Sequence, residues 1–300
     1  MPTFYTVVPI HHVDLSPGTT VEFGGGLRLT AMPPWVEQQG LLSTDDREAI
    51  RFSSHAFVVS YEAAALEERD PNWTGAYPKS IQQSKYELCV LGNLTLWLIK
   101  PSPACFSVVI HAPQSDAEPV AQQVQSCSPL LCHPDDADTR ITASDLDIAP
   151  GLHQGLASIS PATALFTAIR ATWAGLKMNM EPVRFALFWI ALEALCGPED
   201  AREITYRLSQ RLGFFLGASQ SEARELFLKA KKAYGFRSKI VHGRWKEDPE
   251  NTTRMAETED LLRRSLVRIM ENKDLTATFS GKSRERFLDD LVFRDCGGAA

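Results

Sequence analysis

Apolar positions change their spacing near the middle of the chain. In the first half they come in short runs rich in β-branched and aromatic residues, at 4–8, 21–29 and 56–61. Such runs predict strands. One segment departs from this. Tyr86, Val90, Leu94 and Leu98 recur every fourth residue, which predicts a helix over 80–98. Pro101 and Pro103 stop it, and 105–110 reads as a further strand. Gly24-Gly25-Gly26 lies between strand-like runs and reads as a hairpin turn or bulge. Residues 113–151 are rich in Pro, Ser, Gln and Asp and predict an irregular connector.

The second half follows a helical period. Ser160-Pro161 reads as an N-cap followed by Pro at the first helical position, opening a helix to about Lys177. Pro182 opens the next, which Gly197-Pro198 ends. That helix is apolar on nearly every side, which predicts a place in the middle of a bundle. Ile204, Leu208, Leu212, Phe215 and Leu216 form the stripe of a third helix, ending near Gly217. Ser219 caps a fourth, with Ala223, Leu226, Phe227, Ala230 and Tyr234 on one face and a break expected at Gly235. A longer helix is expected from about Thr253 to Asn272, and a short last one over 283–293.

The predicted fold class is therefore α+β: an N-terminal mixed α/β domain over 1–150, then an all-α helical bundle over 151–300. A length of 300 residues suits two domains. With 44% apolar and 23% charged residues, a mainly disordered, collagen-like or coiled-coil chain is excluded. Charge divides the chain at the same place. The net charge of −6 combines an acidic first half (8 Lys/Arg, 18 Asp/Glu) with a basic second half (23 and 19). That points to a polyanion-facing surface on the second half, or to ordinary basic helix surfaces. The apolar runs at 88–99 and 185–195 are too short to span a membrane. The first residues carry no basic stretch of the kind that opens a signal peptide. Six scattered cysteines with no C-x-x-C pair fit a reducing cytoplasm better than a disulfide framework.

Common catalytic motifs are missing. There is no G-x-S-x-G and no dinucleotide-binding glycine pattern, and Gly281-Lys282-Ser283 lacks the earlier glycine of a phosphate loop. Cys127, Cys132 and His133 form one close cluster without a fourth metal ligand. His11-His12 follows a strand and reads as surface rather than ligand.

One segment carries chemistry: Tyr234-Gly235-Phe236-Arg237-Ser238-Lys239-Ile240-Val241-His242-Gly243-Arg244. Its Arg-x4-His pair sits late in the basic helical half. The segment resembles the signature of the HEPN superfamily (higher eukaryotes and prokaryotes nucleotide-binding), specifically its ApeA-like branch. Tyr234, Arg237, Ser238, His242 and Gly243 carry the match. Upstream, Trp189-Ile190-Ala191-Leu192-Glu193-Ala194-Leu195 resembles that family's second helix. The likeness covers roughly 155–295. It implies a helical bundle, usually dimeric, and a metal-independent ribonuclease of prokaryotic antiviral defence or stress response, with Arg237 and His242 catalytic and Ser238 supporting.

The residue types suit that chemistry. RNA brings its own nucleophile, the 2′-hydroxyl. Cleavage needs that oxygen deprotonated, the departing 5′-oxygen protonated and the phosphorane charge stabilised. Imidazole moves protons in either role, and guanidinium holds phosphate oxygens through paired N–H donors. No cofactor is required. Five residues at about 100° each set Arg237 and His242 about 140° apart on a straight helix. Either Arg237 bends round from a start broken at Gly235, or a two-fold homodimer completes the site. Glu193, the odd carboxylate of its helix, needs a partner if buried. Arg237 or His242 would supply it, in a catalytic site or in a structural ion pair. Lys231, Lys232, Lys239, Arg244 and Lys246 are candidate phosphate contacts. Two functional readings stay open. One is an endoribonuclease with the first half as sensor, restraint or recruiter, with an unknown regulatory protein as a possible further partner. The other is a non-catalytic RNA- or nucleotide-binding or dimerisation module.

Overall fold

Strand β1 (Thr3–Ile10) is buried over most of its length because it lies inside a sheet and is covered on both faces. The computed structural model describes residues 1–72, 79–114, 118–127, 138–200 and 202–293. Within it the chain is α+β and divides into two units, Met1–Ser158 and Ile159–Ala300.

The first unit is built from β1, β2 (Val13–Asp14), β3 (Val21–Gly24), β4 (Leu27–Ala31), α1 (Thr44–Arg51), β5 (His55–Glu62), α2 (Ile81–Ile99), β6 (Val108–Pro113), β7 (Gln123–Ser126), β8 (Ile141–Thr142) and α3 (Ala149–Ala157). Among the described residues six strands form an antiparallel sheet in the order β3-β4-β5-β1-β6-β7, while β2 pairs with β8 in parallel. Val7 pairs with both Val58 and Ile110, and this row joins Ile50 of α1 in one core. Residues one step along point the other way. Phe57, opposite Val8, lies under Gly92 of α2. A Cβ on Gly92 would come within 2.9 Å of Leu27 and Phe57, so only hydrogen fits where α2 meets the sheet.

The run 21–29 is a hairpin, β3 and β4, turned by Gly24, Gly25 and Gly26, all at positive φ. Glycine adopts that region without steric cost. The helix over 80–98 is α2, opened by a reciprocal capping box between Ser80 and Gln83. Three expectations need correction. The strand expected at 105–110 starts at Val108, because Ala104 gives its carbonyl to Asn93 of α2 (2.9 Å) and Cys105 meets His11 in an isolated bridge outside the strand. The connector 113–151 contains β7, β8 and the start of α3. Short polar edge strands carry little apolar signal. Helix α1, opened by a capping box between Ser43 and Asp46, is an element that the apolar pattern does not predict. Residue 150 falls inside α3, which packs on α2 and β3 through His153, bonded to the carbonyls of Phe23 (2.9 Å) and Leu88 (3.4 Å).

The second unit contains α4 (Ala164–Leu176), α5 (Glu181–Cys196), α6 (Ile204–Leu216), α7 (Gln220–Val241), α8 (Glu250–Met270), α9 (Lys273–Ser280) and α10 (Arg284–Asp290). Helix α5 touches α4, α6, α7 and α8, as its apolar circumference implies, leaving Ile190 among its exposed residues. Helices α6 and α7 approach closely at two glycines. A Cβ on Gly213 or Gly217 would lie 2.5 or 2.6 Å from the Ala223 backbone. Arg211, only 2% exposed, ties α6 to Glu285 and Asp289 of α10 at 2.6 Å each and to the Cys196 carbonyl. The predicted cap at Ser160 is displaced. Thr163 caps α4, accepting from the Phe166 N–H at 3.0 Å, after a left-handed residue at Ala162. The predicted break at Gly235 is absent. Tyr234 is buried beside it, and packing outweighs the roughly 1 kcal/mol that glycine costs in a helix. Among the described residues no helix is long and apolar enough to cross a membrane.

Candidate functional site

The candidate residues come from two helices that touch, α5 and α7. On α5, Trp189 and Glu193 are four apart and share a face. On α7, Tyr234 and Arg237 are three apart and do the same. The rings of Trp189 and Tyr234 meet edge to face at 5.2 Å. The Arg237 guanidinium lies over the Tyr234 ring at 5.5 Å, and its Nη2 is 3.0 Å from Glu193 Oε1. Both charged side chains are 23% exposed. The pair lacks hydrogen-bond alignment. Glu193 Oε1, Arg237 Nε and the Trp189 indole nitrogen are buried with no hydrogen-bond partner. Burial, and then the Glu193 carboxylate beside it, push the Tyr234 phenol up to about 12, while Arg237 opposes the shift. Tyr234 is therefore a neutral packing and stacking group at physiological pH.

His242 stands apart from this cluster. It caps the C-terminal end of α7, its N–H donating to the Ser238 carbonyl (3.2 Å). Gly243 follows at φ +68°, its N–H on Ile240 O (2.9 Å), and the Arg244 N–H reaches Lys239 O (2.8 Å). This is a Schellman ending, whose left-handed position favours glycine. The imidazole is exposed, and among the described residues its ring makes no hydrogen bond. Because α7 runs unbroken through Gly235, the helix separates Arg237 from His242 by about 7.5 Å of rise and about 140° of rotation. The route in which Arg237 bends round from a broken start is closed.

The remaining candidates lie along α7 and the segment after it. Ser238 is half-buried. Lys231 is exposed, its Nζ 5.7 Å from the centre of the Phe227 ring. Lys232 forms a loose exposed pair with Glu250 at 3.7 Å. Lys239, Arg244 and Lys246 are exposed. Sequence reasoning missed the frame that holds this end. Phe236 packs on Phe185 and Trp245, and Arg254 of α8 stacks on Phe236 at 4.7 Å while pairing with Asp248 and Glu250. Aromatic residues at 236 and 245 were visible signals, but Arg254 is brought to them only by the fold.

Elsewhere, His11 is half-buried between Ser53 (3.1 Å) and Ser107 (3.3 Å), and burial, then His12, hold its pKa below the usual imidazole value. Cys132 and His133 lie outside the described residues. No family model, curated protein or solved structure matches this chain.

Proposed function

We propose that the C-terminal helical unit is the working part of a cytoplasmic, homodimeric, metal-independent endoribonuclease of HEPN type, serving defence or stress response. Two copies of α7 would face one another, so that His242 and Arg237, which diverge on one helix, converge across the two-fold axis on one phosphodiester. His242 would move the proton at the 2′-hydroxyl or the 5′-oxygen, and Arg237 would hold the phosphorane oxygens. The products would be a 2′,3′-cyclic phosphate and a 5′-hydroxyl, and DNA would resist. The observation that carries this reading is the exposed His242 ring with no internal partner. A histidine retained for packing would be buried and bonded, as His153 is.

A second reading has its own support. Within one chain the Glu193 carboxylate already neutralises Arg237 through one Nη, which favours a non-catalytic RNA-binding or dimerisation module. One experiment separates the two. Purified protein is incubated with single-stranded RNA in EDTA, beside His242→Ala. The ribonuclease reading expects cyclic-phosphate products and a loss of about 100-fold or more in the variant. Equal cutting by the variant, or salt-sensitive binding with no cutting by the parent, would overturn it.

A further inference from the structure

On the same second unit, a cavity of about 460 Å³ opens between α6 and the first half of α7. That volume falls within the range of small-ligand sites. Its walls are aromatic: Tyr206, Phe214 and Phe227, with Tyr206 and Phe227 edge to face at 5.4 Å. Its polar residues include Gln210, Gln220, Ser221 and Arg224. Tyr206 lines the cavity and is 48% exposed, so about half of the residue stays accessible. Arg224 forms no ion pair among the described residues, whereas Glu222 beside it is taken up by Arg264 (3.0 Å) and the Ala218 N–H (2.9 Å). Aromatic rings beside side-chain amides and an unpaired guanidinium suit a flat, hydrogen-bonding ring on an anionic chain, which is the chemistry of a nucleotide.

The helix gives the cavity a direction. Arg224, Lys231 and His242 are separated by 7 and 11 residues, so they fall within about 20° of one stripe of α7. All three are exposed. Arg224 and His242 are about 27 Å apart along the axis, a length suited to several nucleotides of single strand. Lys231 lies between them, its Nζ at the Phe227 ring.

We infer that this cavity takes one unpaired base of a bound RNA strand, stacked on Tyr206 with its edge against Phe227, with Arg224 and Lys231 on flanking phosphates and the strand running along α7 to His242. The inference rests on the ribonuclease reading for the identity of the ligand, and it adds a base-binding subsite remote from the point of cleavage.

The test uses the full chain carrying His242→Ala, so that RNA is not consumed. Binding of a fluorescein-labelled ten-nucleotide oligoadenylate is followed by anisotropy across a salt series, with an RNA duplex as the second probe. Tyr206→Ala is expected to weaken single-strand binding by about five-fold to a hundred-fold, and Tyr206→Phe to keep it. Arg224→Ala is expected to weaken binding and flatten the salt slope by about one. Lys229→Ala, about 140° from Arg224 around α7, is the control that leaves binding unchanged. Parental affinity in Tyr206→Ala or in Arg224→Ala overturns the inference, as does equal binding of duplex and single strand. If the parent cuts RNA but Tyr206→Ala binds normally, the subsite fails and the ribonuclease reading stands. If binding depends on Tyr206 but the parent never cuts, the subsite stands and the ribonuclease reading fails.

Discussion

Replacing Glu193 by Gln asks what Arg237 is for. The two charges are 3.0 Å apart and each is 23% exposed. At that distance and an effective dielectric near 20, the raw attraction is about 5 kcal/mol. Desolvation of both groups offsets most of it. Exposed pairs net about 0.2–1 kcal/mol, and breaking a buried pair costs about 3–5 kcal/mol. A pair that is one-quarter exposed and poorly aligned falls between, so Glu193→Gln should cost about 1–2 kcal/mol. The assay is a double-mutant cycle of Glu193→Gln, Arg237→Ala and their combination. It is read by urea unfolding of the full chain and by amide exchange along α7. A coupling energy of about 1 kcal/mol is expected. The same proteins are then given RNA. On the ribonuclease reading, Arg237→Ala should abolish cutting, whereas Glu193→Gln should keep the guanidinium and lose about ten-fold or less through misplacement. A coupling near zero would refute the electrostatic argument. Parental cutting by Arg237→Ala would make Arg237 a structural residue only.

Other outcomes follow from the packing. Arg211→Ala strips the carboxylates of Glu285 and Asp289 of a buried cation and should cost about 3 kcal/mol, with Asp289 softened by its exposure; a urea midpoint within error of the parent would contradict this. Gly92→Ala should cost about 1–3 kcal/mol, because its Cβ would overlap Leu27 and Phe57; calorimetry of the full chain is the check. Gly243→Ala forces a side chain into φ +68° and should cost about 1 kcal/mol, seen as faster exchange of the Arg244 amide. His111, buried on β6 against Thr6, has its pKa lowered to about 4 by burial. Its folded value is depressed below the unfolded 6.5, so the stability it contributes is present above pH 6.5 and is lost as pH falls from 6.5 towards 4. The urea midpoint should drop across that window, and an NMR titration of His111 should show a neutral ring at pH 5.5.

Local pattern determined much of this protein. The four-residue spacing of Tyr86, Val90, Leu94 and Leu98 makes α2 a helix, and the all-round apolar surface of α5 makes it a central one, because burying that surface needs neighbours on several sides. Three glycines at 24–26 turn the β3–β4 hairpin because they alone take positive φ freely. The α+β division follows from the change of apolar period. Tertiary structure decided what spacing cannot carry. Whether Gly235 breaks α7 depends on the packing of Tyr234 and Phe236, which a local propensity does not contain. The partner of Glu193 is chosen by how α5 meets α7, since residues 193 and 237 are far apart in sequence. The edge strand β7 exists only because β6 offers it a hydrogen-bonding edge. The separation of Arg237 from His242 was readable as an angle in the sequence, but only an unbroken α7 turns that angle into two distinct surfaces.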